Sequence, residues 1–98
     1  MTMTWELGEP IATRELRKGD DPVVVTFAKP ELTEGGSYSC AVRIEGMEPE
    51  PLTRAIFGVD AVQALIEAMT FAGRLLDANE GEYTFLGEAD LGFPRGGQ

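Results

Sequence analysis

One stretch of the chain, Val59 to Ala78, contains no proline and is dominated by Ala, Leu, Met, Glu, Gln and Arg. That composition predicts one long helix, and no other segment is patterned to make a second. Asp60 stands at its start, where a carboxylate can accept free backbone N–H groups and meet the positive end of the helix dipole. At 100° per residue, Asp60, Gln63, Glu67, Thr70, Arg74 and Asp77 fall within one wet arc of about 100°. The rest of the surface is apolar or small, over about 220°. Leu65, Met69, Leu76 and Val62 mark its centre, Phe71, Leu75 and Ala64 one flank, and Ile66 the other. One sheet face needs less than that. Either the helix lies deep in a curved sheet, or the flank of Ala64, Phe71 and Leu75 meets a second subunit.

Strand patterns fill the chain before the helix. Pro10 to Lys18 suits a half-exposed first strand, and Gly19-Asp20-Asp21-Pro22 has turn chemistry. Val23 to Ala28 is β-branched and aromatic with two partly apolar faces, which predicts a central strand ended near Pro30. After Thr33-Glu34-Gly35-Gly36, the residues Tyr38, Cys40, Val42 and Ile44 alternate with Ser37, Ser39, Ala41, Arg43 and Glu45. Leu52 to Phe57 forms a fourth strand, stopped by Gly58, and Tyr83 to Leu86 a short last one. The expected fold is α+β: an antiparallel sheet of four or five strands with one long helix packed on one face, in the order β-β-β-β-α-β.

A chain of 98 residues fits one domain. Loose termini are expected at 1–8 and 95–98, with Trp5 covering the core and Leu91-Gly92-Phe93-Pro94 docking locally. The single Cys40 suits a small core residue better than a reactive thiol. With no basic, apolar leader and one cysteine, the cytoplasm is the expected compartment.

Charge and missing residue types narrow the chemistry. Eight Lys and Arg against 17 Asp and Glu give a net charge of −9, and histidine is absent. Ser-His-Asp triads, His-based metal sites, zinc fingers, disulfide scaffolds and His-ligated haem all lack their parts. An acidic surface repels phosphates, so no nucleic acid is expected, and no apolar run is long enough for a membrane span. The glycines make no phosphate-binding loop. Glu48 and Glu50 could in principle act as paired carboxylates, although solvated acids are the commoner reading. Asp77, Glu80, Glu82, Glu88 and Asp90 follow one another with no Lys or Arg between them, yet lack the ligand order of a calcium loop. No cofactor is implied.

Gly58-Val59-Asp60-Ala61-Val62-Gln63-Ala64-Leu65, entered from a strand, resembles a segment of a family of short uncharacterised bacterial proteins. Tyr38-x-Cys40-x-Val42-Arg43 and Leu86-Gly87…Asp90-Leu91-Gly92-Phe93-Pro94 are similar to that family too, so the likeness spans residues 10 to 94. It implies an α+β domain of unknown function and brings no catalytic residues. In its central motif, Gly58 frees the turn into the helix, Asp60 caps, Leu65 packs, Ala64 allows close approach, and Gln63 faces water. The expected function is a non-enzymatic interaction module, either self-associating as a homodimer or serving as an inhibitor or immunity-type partner of a basic protein. The alternative is a small-ligand binder or carboxylate-based enzyme, with Tyr38, Tyr83 or Glu48 at the rim of a pocket between sheet and helix.

Overall fold

The computed structural model describes residues 7–79 and 81–95. Six strands and one helix follow in order: β1 Pro10–Lys18, β2 Asp21–Ala28, β3 Glu31–Leu32, β4 Tyr38–Glu45, β5 Leu52–Gly58, α1 Ala61–Ala78 and β6 Tyr83–Thr84. Every pairing is antiparallel. This is the expected α+β architecture, with one very short strand, β3, added.

β2 lies between β1 and β4, the central place that its two apolar faces suggest. Along β4, residues Tyr38 to Ile44 pair with β5 on one side. The other side is shared: Val42 to Glu45 pair with β2, and Tyr38 and Ser39 with β3. β3 therefore resumes the line of β2 after the interruption at Lys29-Pro30. A proline cannot donate a ladder bond, which suits it to this interruption. Just before the break, the fully buried Cys40 donates its Sγ to Ala28 O at 3.3 Å.

The final strand is shorter than its sequence suggests. Only Tyr83 and Thr84 join the sheet, opposite Lys18 and Arg17. Phe85 instead exchanges both backbone hydrogen bonds with Glu88, at 2.8 and 2.9 Å. Leu86 and Gly87 between them take φ of 53° and 83°, the sign pattern of a tight hairpin turn.

Leu16, Val23, Val25, Phe27, Cys40, Val42 and Ile44 form the inner face of the sheet, and α1 covers its β4–β5 half. The helix is rotated from the expected orientation. Its buried line is Ala64, Ala68, Ala72 and Leu76, about 70° round from the expected Leu65–Met69–Leu76–Val62 centre, with Leu76 common to both. Val62 is 66% exposed. Three alanines four apart let the helix backbone come close to the sheet, and that close approach decides the rotation over the larger side chains. Thr70, expected on the wet arc, is buried and donates its hydroxyl to Ile66 O at 2.9 Å.

The β1–β2 half of the inner face is closed by the segment after β6. Phe93 packs edge-on to Phe27, ring centroids 6.1 Å apart. The Arg14 guanidinium lies 4.4 Å from the Phe85 ring centre and 5.0 Å from that of Phe93, and its Nη1 donates to Leu91 O at 3.0 Å. Leu91 is buried, so local docking of this segment holds. Among the described residues no helix is long and apolar enough to cross a membrane.

Candidate functional site

The strand-to-helix corner is built from the residues singled out in the sequence. Asp60 Oδ1 accepts the Gln63 N–H at 2.8 Å, and Gln63 Oε1 accepts the Val59 N–H at 2.6 Å. The two side chains thus satisfy donors reciprocally, in the manner of a capping box. Gln63 does more than face water. Gly58 has an ordinary φ, and its function is room: a Cβ there would stand 2.8 Å from Gln63 C and 2.9 Å from Ala64 Cα. Ala64 is fully buried, so it belongs to this contact and to the core, and leaves the proposed flank to Phe71 and Leu75. Leu65 is half-buried against the core.

Asp77, Glu82, Glu88 and Asp90 are all exposed, and Glu80 lies outside the described residues, as do Trp5 and the rest of residues 1–6. The fold brings Asp77 beside Glu82 in one hollow and beside Asp90 in the next, and places Glu88 in neither. A hollow of about 380 Å³ is lined by Leu76, Tyr83 and Leu91 beneath, with Asp77 and Glu82 at its mouth. Asp77 is shared with a neighbouring hollow that also takes in Asp90, Arg74 and Arg95. Asp77 and Asp90 are therefore partly balanced by arginine: Arg74 by its place one turn before Asp77 on the helix, Arg95 through folding. Lys18 Nζ stands 5.7 Å from the Tyr83 ring centre, on the sheet side of the same aromatic. Among the described residues no three potential ligands gather into a metal site.

Glu48 and Glu50 are both exposed, and Glu48 is engaged by the end of the helix. Glu48 Oε2 accepts from Asn79 Nδ2 at 3.0 Å, and Asn79 Oδ1 accepts a short hydrogen bond from the Tyr83 hydroxyl. This line joins the β4–β5 loop, the helix C-terminus and β6, so it ties the acidic end together. Tyr38 is elsewhere: it pairs with Gly58 at the other end of the helix, about 27 Å of helix length away. Tyr38 and Tyr83 therefore do not share a pocket.

A second surface runs along β5, beyond which no strand lies among the described residues. Phe71 and Leu75, with Glu67, Thr70, Arg74 and Ala78, line a mostly apolar groove of about 430 Å³ against Ile56. Sequence reasoning found the helical wall of this groove. It missed Ile56, whose inward direction depends on the β4–β5 register.

The described residues define a one-helix α+β domain with Asp77, Glu82 and Asp90 around two adjoining hollows and an open edge at β5. Residues 12–95 match the family model DUF6968, a domain of unknown function, and the chain belongs to that family. No curated protein and no solved structure matches it.

Proposed function

We propose that this domain is a non-enzymatic protein-interaction module of the inhibitor or immunity type, presenting its acidic end to a basic protein. The observation that carries the reading is the hollow floored by Leu76, Tyr83 and Leu91 and rimmed by Asp77 and Glu82. An arginine or lysine lays its apolar stem along such a floor while its charged head reaches the carboxylates. Arginine anchors in partly apolar pockets are frequent centres of binding energy. The net charge of −9 adds long-range attraction for a basic partner and speeds encounter.

The test is reconstitution. Basic proteins captured on the folded domain are purified and rebound at low and high salt, to wild type and to Asp77→Asn/Glu82→Gln. A partner lost both in salt and on the double variant is the expected result. A panel yielding no partner, or a partner indifferent to both changes, removes the reading.

A further inference from the structure

We infer that the β5 side of the domain is a self-complementary surface, and that its occupant is a second copy of the chain related by a two-fold axis. This surface shares Arg74 with the hollow that takes in Asp77 and Asp90, but the inference does not depend on the reading of the acidic end.

The argument begins at the strand edge. Arg54 Nη1 donates to the carbonyl of its neighbour Thr53 at 3.1 Å, which marks that carbonyl as pointing away from β4. Backbone direction alternates along a strand, so Thr53, Ala55 and Phe57 share the outward orientation. An antiparallel copy centred on Ala55 then pairs Ala55 with Ala55 and Thr53 with Phe57, each as a hydrogen-bonded pair. Phe57 is 59% exposed on the face away from the helix and would pack over the copy's Thr53 and Ala55.

The helix points to the same axis independently. Glu67 and Arg74 both lie on the groove wall. An antiparallel helix pair with its two-fold between Thr70 and Phe71 sets Glu67 of each copy against Arg74 of the other. The two placements can be checked against each other from the Gly58–Ala64 contact, where strand and helix meet. Three strand residues back to Ala55 cover about 10 Å. Six to seven helix residues on to the Thr70–Phe71 step also cover about 10 Å. Strand edge and helix flank thus place the axis at one level. Across it, Arg54 of one copy stands opposite Ile56 of the other, beside that copy's Glu67. The groove wall of Phe71 and Leu75 is covered by its own counterpart, an isologous arrangement. Opposite charges meet across the axis despite the overall −9 of each chain.

Light scattering on the eluting protein at about 100 μM should give twice the chain mass of 10.6 kDa. Glu67→Arg and Arg74→Glu should each weaken the dimer at least about tenfold, and the double exchange should restore it to within about threefold. Circular dichroism confirms that each variant is folded. As an independent measurement, Ala55→Cys should cross-link two copies on mild oxidation while Leu32→Cys, on β3 and more exposed to solvent than Ala55, should not. A monomer at 100 μM overturns the inference, and so does a dimer that ignores both reversals and fails to cross-link through position 55. A wild-type monomer that dimerises once residues 1–6 are deleted also overturns it, by assigning the groove to that segment.

Discussion

Phe93 is fitted against the bare backbone of Gly73, so closely that a Cβ on the glycine would stand 2.9 Å from the Cβ of the phenylalanine. The pair is the seam between helix α1 and the segment that closes the β1–β2 half of the core. Replacing a mid-helix glycine with alanine ordinarily gains about 1 kcal/mol. Here Gly73→Ala is expected to lower Tm and to speed protease cleavage within residues 89–95, because Phe93 must yield. Thermal melts and limited proteolysis read both effects, and a raised Tm would show that the seam is loose.

Arg14 is held by two rings and one carbonyl, and the planarity of its head matters more than its charge. Lysine keeps the charge but cannot stack between Phe85 and Phe93 while reaching Leu91 O. Arg14→Lys is expected to cost about 1 kcal/mol in denaturant melts. Arg14→Met, which keeps only the stem, should cost more. An Arg14→Met variant as stable as wild type would reduce Arg14 to an apolar spacer.

The cap at the helix start is unequal between its partners. Asp60→Ala removes an N-cap acceptor and is expected to cost about 1 kcal/mol. Asp60→Asn should cost much less, because the amide oxygen still accepts the Gln63 N–H. Gln63→Ala releases only the exposed Val59 N–H to water, and its loss should be smaller than that of Asp60→Ala. Urea melts at neutral pH rank the three.

Burial pushes the Cys40 thiol above its ordinary value, because desolvation penalises the thiolate. In the folded protein Cys40 should resist a thiol reagent at pH 8 and react fully only in denaturant. The unfolded thiol ionises near its usual value of about 8.5. Above that pH the unfolded chain has released a proton that the folded one retains, so stability falls as pH rises. Melts of wild type and Cys40→Ala from pH 7 to 10 should converge towards the alkaline end. Parallel curves would contradict the shift.

The strands and the helix were legible because their patterns are local. The alternation from Tyr38 to Ile44 and the β-branched run of Val23 to Phe27 place one face inward whatever the partner strands are. The rotation of α1 was not legible, since hydrophobicity favours Leu65, Met69 and Val62 over three alanines. Only the sheet surface shows that closeness of approach prevails. Gly58 displays the same limit: its sequence position suggests a bend, but its spatial role is to let the turn of Gln63 and Ala64 descend onto β5. The acids after the helix were visible as a run, as was Arg74 one turn before Asp77, while Arg95 reaches them only through folding. Phe85 left the last strand because Leu86 and Gly87 adopt positive φ, which a leucine does not advertise.

The sheet also divides the order in which the molecule can be assembled and taken apart. β1 to β5 form a meander of neighbours, and β1 meets β2 through only Gly19 and Asp20. β6 joins β1 across the 65 positions from Lys18 to Tyr83, through two residue pairs. Closing so long a loop is entropically dearer than any turn in the meander. Amide protons of β6 should therefore exchange through a local opening, at lower free energy than those of β2 and β4. Because Phe85, Leu91 and Phe93 follow β6 onto the core, that opening would lift the cover from Arg14 and Phe27 while the meander stays intact.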